Sequence, residues 1–117
     1  MVYGSHFVLY SEDAEADRAF FRDVLGFDAT DAGGGWLIFA LPTAELGVHP
    51  AASAGLELFL MCDDLDAEMA SLADKGVECA AVEVQGWGRS TSFRVPGGAS
   101  IGLYQPSHPS SVAPDPA

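Results

Sequence analysis

Positive charge is scarce in this chain. Five Lys and Arg stand against seventeen Asp and Glu in 117 residues, a formal net charge of −12. A phosphate backbone needs a cationic footprint, so nucleic acid is excluded as a partner. Cysteine is also scarce. Cys62 and Cys79 lie in apolar stretches and form no Cys-x-x-Cys pair. That removes structural zinc and thioredoxin-like redox chemistry and leaves two reduced core thiols. No apolar run approaches the roughly 20 residues that span a bilayer, and no basic leader precedes the first apolar segment. A soluble cytoplasmic protein without a membrane partner is the expectation. No Gly-x-Ser-x-Gly nucleophile elbow occurs, and no helix pattern follows Gly33-Gly34-Gly35, which makes it a hairpin turn and not a phosphate loop.

What is present is a repeat. Residues 6–17 (His-Phe-Val-Leu-Tyr-Ser-Glu-Asp-Ala-Glu-Ala-Asp) and 57–68 (Glu-Leu-Phe-Leu-Met-Cys-Asp-Asp-Leu-Asp-Ala-Glu) each run from an apolar stretch through an acidic pair into a helix-like segment, which ends at Gly26 or Gly76. Each half closes with a Pro and a short strand, 45–49 and 100–104. Two copies of one supersecondary unit follow from this, within a length that suits one domain and one core.

Each unit reads as strand, helix and three strands. In the first, 5–10 is a buried strand. Asp13 caps a helix on which Ala16, Phe20 and Val24 form the apolar face, and strands are expected at 27–32, 36–41 and 45–49. In the second, a strand over 58–62 precedes a helix capped by Asp64, and strands are expected at 77–84, 91–95 and 100–104. The fold class is therefore α+β: two βαβββ modules, about 3–50 and 55–106, forming curled mixed sheets around a cleft within a single domain, 1–106. Residues 107–117 lack periodicity and are expected to be a disordered tail.

Strand alternation sorts the faces. Phe7, Leu9, Leu58 and Leu60 go under the helices. His6, Glu45, His49, Glu57, Arg94, Ser100 and Tyr104 converge on the cleft, with Phe59 on the same face and Trp36 and Trp87 near the rim. Imidazoles and carboxylates suit a divalent metal such as iron, nickel, manganese or zinc. The same residues equally suit a polar lining around an organic ligand, with no metal. A buried Glu57 needs a cation or a hydrogen-bond donor, and Arg94 is the nearest candidate. Trp36, Phe59, Trp87 and Tyr104 suit a planar ligand or a dimer interface.

The chain resembles the vicinal oxygen chelate superfamily, which groups glyoxalase I, extradiol dioxygenases, fosfomycin-resistance enzymes and bleomycin-resistance binding proteins. The resemblance spans about 3–106. It is carried by His6 with Ala-Phe-Phe-Arg-Asp-Val-Leu-Gly-Phe (19–27), by Asp-Asp-Leu-Asp-Ala (63–67), and by Pro96-Gly97-Gly98 leading to Gly102-Leu103-Tyr104. It implies paired βαβββ modules and a homodimer. It also implies one metal ligand on the first and last strand of each module: His6 and Glu45, then Glu57 where histidine is usual and Ser100 or Gly102 where glutamate is usual. Two functions are open. One is a binding protein of the bleomycin-resistance kind for a small aromatic molecule, a cationic one suiting the acidic balance, with Trp36, Phe59, Trp87, Arg94 and Tyr104 as contacts. The other is a metal-dependent lyase, isomerase or dioxygenase with His6, Glu45 and Glu57 as ligands and His49 or Glu57 as base.

Overall fold

A computed structural model describes residues 6–7, 9–45, 50, 52–53, 56–109 and 112. Helix α1 (Ala14–Ala19) starts where Asp13 accepts the Ala16 N–H at 3.1 Å, as its N-cap chemistry predicts. It continues directly into a π-helical turn, Phe20–Val24, which Gly26 closes at φ 73°. The turn sends its two aromatic rings to different places. Phe20 lies 6.1 Å from Phe93 in the second module, while Phe21 packs on Phe27 and Phe39 in the first. A single helical segment thereby serves both halves of the chain.

Strands β1 (Ala29–Asp31) and β2 (Leu37–Phe39) form a short antiparallel hairpin. The three glycines make its turn, where Asp31 Oδ1 accepts the Gly33 N–H at 2.8 Å. The first module is less regular than its sequence suggests. Of the expected opening strand, His6, Phe7, Leu9 and Tyr10 are exposed and outside any strand, Tyr10 at 89% exposure. Among the described residues the two three-residue strands pair only with each other. Glu45 is likewise outside any strand, and 46–49 lie outside the described residues.

The second module is complete. Strands β3 (Phe59–Met61), β4 (Glu83–Gln85), β5 (Gly88–Arg94) and β6 (Ser100–Pro106) form one sheet in the order β3-β6-β5-β4. β3 runs parallel to β6, and the other neighbours are antiparallel. Helix α2 (Leu65–Asp74), capped by Asp64, makes the crossover, as a parallel pair requires. Its first N–H reaches Gln105 Oε1 at 2.9 Å, which ties the helix start to β6. Residues 77–82, expected as strand, hydrogen-bond to the sheet through Ala80, whose N–H donates to Ser92 O and whose carbonyl accepts from Thr91 Oγ1, while Val77, Cys79 and Val82 pack on the core.

The register settles the faces. Thr91 pairs with Leu103 and Phe93 with Ile101 on the helix side, whereas Ser90–Tyr104, Ser92–Gly102 and Arg94–Ser100 share the opposite side with Phe59 and Met61. The core lies on the helix side: Phe20, Leu65, Leu72, Phe93, Val95, Ile101 and Leu103. The opposite face borders the cleft. The sheets are curled and unclosed, and the radius of gyration, 15.1 Å, exceeds the roughly 13 Å of a compact chain of this length. No described helix is long and apolar enough to cross a membrane.

Candidate functional site

Between the two modules lies an open cleft of about 1590 Å³. One wall is the free face of the sheet, bearing Phe59, Glu83, Ser90, Ser92, Ser100 and Gly102, with Trp87 from the β4–β5 turn. The other is built from first-module residues including His6, Phe7, Leu9, Arg18, Trp36 and Ile38. Glu57 also lines it. Of the residues selected from sequence, the structure therefore brings His6, Trp36, Glu57, Phe59 and Trp87 to one cleft.

Gly102 shapes the sheet wall. A methyl group there would collide with the Phe59 ring, so its absence lets Phe59 lie flat across the strand. Phe59, Trp87 and Tyr104 meet edge to face, with centroids 5.3 to 6.1 Å apart. Aromatic quadrupoles favour this arrangement.

Tyr104 leads to a polar cluster beside the cleft that sequence reasoning had only half seen. Its hydroxyl donates to Glu45 Oε1 at 3.4 Å, a long contact, and lies 3.2 Å from His108 Nε2. His108 Nδ1 donates to Pro109 O at 2.8 Å. In the neutral ring Nε2 is then an acceptor and competes with Glu45 for the single phenolic proton. Burial, reinforced by Glu45, raises the Tyr104 phenol above its ordinary pKa. His108 sits in the aperiodic tail, and no sequence signal pointed to it. Residues 107–109 are described, with Ser107 Oγ donating to Gly86 O at 3.1 Å, while 110–111 and 113–117 lie outside the described residues.

Other expectations part company with the structure. Glu57 is exposed and needs no buried partner. Arg94 donates to Gly98 O at 2.8 Å and borders an adjoining groove that shares Ala80, Ser92 and Ser100 with the cleft. His49 lies outside the described residues. His6 and Glu57 share the cleft, but Glu45 is engaged with Tyr104 and approaches His108 at 4.0 Å. Among the described residues no three of His, Cys, Asp and Glu group in a way that would hold a metal ion.

One further residue of α1 is notable. Arg18 lines the cleft, with its guanidinium carbon 4.6 Å from the centroid of the Trp36 ring.

Comparison with known proteins places this geometry in context. The profile of the Glyoxalase/Bleomycin resistance protein/Dioxygenase superfamily matches residues 5–103. TnmS3, an antibiotic binding protein from Streptomyces sp. CB03234, is 31% identical, with 92% of this chain and 99% of that one covered at a TM-score of 0.66. A glyoxalase/bleomycin resistance protein from the same organism is also 31% identical over 81% of this chain and 93% of that one, TM-score 0.57. A lactoylglutathione lyase from Agrobacterium tumefaciens shares the fold at 18% identity, covering 88% and 92% of the two chains with a TM-score of 0.65. No curated protein sequence matches.

Proposed function

Because the chain belongs to the Glyoxalase/Bleomycin resistance protein/Dioxygenase superfamily, we propose that it binds a small aromatic molecule in the cleft between its modules and acts as a cytoplasmic sequestering protein. One observation carries the reading. Trp36 from the first module and Trp87 and Phe59 from the second line the same cleft, all of them exposed. Exposed aromatic surface inside a concavity is what a planar ligand stacks on. The likeness to an antibiotic binding protein supports an antibiotic as the natural ligand.

The cleft volume supports a homodimer as the working form, since about 1590 Å³ exceeds the roughly 300–1,000 Å³ of a pocket fitted to one ligand. A second copy would narrow it.

A screen of aromatic antibiotics by tryptophan fluorescence tests the proposal, because both tryptophans report from the cleft. Saturable quenching is expected, and Trp36→Ala or Trp87→Ala should weaken affinity by on the order of tenfold. A folded protein that quenches with none of the compounds would sink it.

A second reading, a divalent-metal-dependent lyase, isomerase or dioxygenase, draws on His6 and Glu57 sharing the cleft. Two features of the described donors favour the first reading. Glu45, the third candidate ligand, is engaged by Tyr104, and the last strand offers Ser100, whose hydroxyl is a poor ligand for such ions. Elemental analysis decides between the two readings. Near-stoichiometric nickel, zinc, iron or manganese that His6→Ala removes would restore the enzyme.

A further inference from the structure

Arg18 stands apart from the other four cations. Arg22 is paired with Asp23 and Arg89 with Asp66. Lys75 Nζ donates to Val24 O, and Arg94 donates to Gly98 O. Among the described residues Arg18 alone has no hydrogen bond or ion pair. It is also the only one of the five that lines the cleft, and its one contact of note is with the face of Trp36. A guanidinium held against an aromatic face keeps its N–H donors at its edge, in the fork that matches a carboxylate. Trp36 meanwhile remains 62% exposed, so the ring still offers surface to a ligand.

The exposed charges in the cleft are divided between its walls; Asp17, which also lines it beside Arg18, is only 4% exposed and accepts the Gly97 N–H. Arg18 stands on the first-module side, whereas Glu83 stands on the sheet and Glu57 just before it. Both carboxylates are exposed.

We propose that the cleft selects an aromatic molecule bearing a carboxylate or a comparably anionic oxygen, seated with its ring on the aromatic lining and its anionic edge on the Arg18 guanidinium, away from Glu57 and Glu83. This rests on the ligand-binding reading above and adds the sign and position of the charge. It runs against the chain's overall charge of −12, which by itself favours a cation. Contact geometry prevails because net charge acts over a screened distance, while a charge-assisted fork acts at contact. Net charge governs the approach: repulsion slows association at low salt and eases as salt rises.

The experiment is calorimetric titration of the full chain with three probes of one shape: 2-naphthoate, neutral 2-naphthamide and cationic 2-naphthylmethylammonium. The wild-type protein should bind 2-naphthoate about tenfold more tightly than the amide, the difference expected of one charge-assisted contact. Arg18→Gln should bring the naphthoate affinity down to that of the amide. The wild-type comparison needs no variant, so it decides even where Arg18→Gln fails to fold. Equal affinity for all three probes, preference for the cation, or a naphthoate preference that survives Arg18→Gln overturns the assignment and leaves the aromatic-binding reading standing. Binding of no probe also overturns the assignment, and the antibiotic screen then decides whether the aromatic-binding reading stands.

Discussion

Asp17 Oδ1 accepts a 2.6 Å hydrogen bond from the Gly97 N–H, eighty residues further along the chain, and the carboxylate is only 4% exposed. Asp17 belongs to α1, and Gly97 to the turn that delivers β6. With the Phe20–Phe93 contact, this bond fastens the first-module helix to the second-module sheet and so fixes one end of the cleft. The other oxygen, Oδ2, is buried without a partner among the described residues. The acceptor at Oδ1 is therefore what the site uses.

Removing that acceptor should be costly. Asp17→Ala leaves a buried N–H unpaired, a penalty of about 1–3 kcal/mol, whereas Asp17→Asn keeps a carbonyl oxygen and should lose less. Gly97→Ala pushes a methyl into Ser11 Oγ and the Asp17 carboxylate, an overpacking worth about 1–3 kcal/mol. Because Asp17→Ala removes the carboxylate and makes room for that methyl, the double variant should be more stable than the sum of the two losses predicts. Urea titrations of the wild type, both single variants, the double variant and Asp17→Asn check this. Equal costs for Asp17→Ala and Asp17→Asn would show that the hydrogen bond is not what holds the modules.

Gly102→Ala should act on the site more than on the core. The added methyl meets the Phe59 ring, which must tilt off the sheet and away from Trp87 and Tyr104. The stability cost should be about 1–3 kcal/mol. The more telling readout is Trp87 emission in a Trp36→Phe background, which should shift to the red as the edge-to-face cluster opens. An unchanged spectrum would mean the ring does not depend on the missing side chain.

The second module was largely legible in the sequence because its signals are local and agree with one another. Asp64 caps α2, Leu65 and Leu72 point to the core, and strand alternation put Phe59, Arg94, Ser100 and Tyr104 on one face. The first module was less legible. Its opening apolar run looks like a strand, yet a strand exists only where it pairs, and among the described residues β1 and β2 pair only with each other. The π-helical turn was also hidden, since an amphipathic pattern does not register one extra residue per turn. The site followed the same rule. Alternation put Phe59 on the cleft face, with Trp36 and Trp87 expected near its rim, but His108 and Arg18 reach their places through tertiary contacts. Arg18, on the polar side of an isolated helix, had no local mark separating it from Arg22.

The cysteines should resist labelling in the native state. Burial, then Glu68 and Asp63, pushes the Cys62 thiol up to about 11, and burial raises Cys79 as well. The thiolate is the nucleophile. At pH 8 native Cys62 should therefore react with Ellman's reagent roughly a hundredfold more slowly than a free cysteine, whose pKa is about 8.5. The folded state favours the protonated thiol, so this contribution to stability is fully present below the free thiol's value of about 8.5 and is lost as pH rises through about 11. Cys62→Ala should show a flatter fall in urea midpoint over that window. Rapid labelling at pH 8 would mean the thiol is not shielded.

The apolar surface makes the last prediction. Trp36, Ile38 and Leu41 are exposed in and beside the hairpin, and Leu56 is 76% exposed ahead of β3. The radius of gyration exceeds that of a compact chain. Apolar groups left in water at several neighbouring positions mark an interaction surface, and the partner proposed above is a second copy. Sedimentation at micromolar concentration should give twice the chain mass. Ile38→Glu places a charge where the hairpin would meet the partner, and it should shift the chain to monomer and weaken binding of any cleft ligand with it. Loss of the dimer with ligand affinity intact would place the cleft within one chain. A wild-type protein that sediments as a monomer, with a scattering radius near 15.1 Å, would mean that this surface stays uncovered in solution and that the open cleft is the working form.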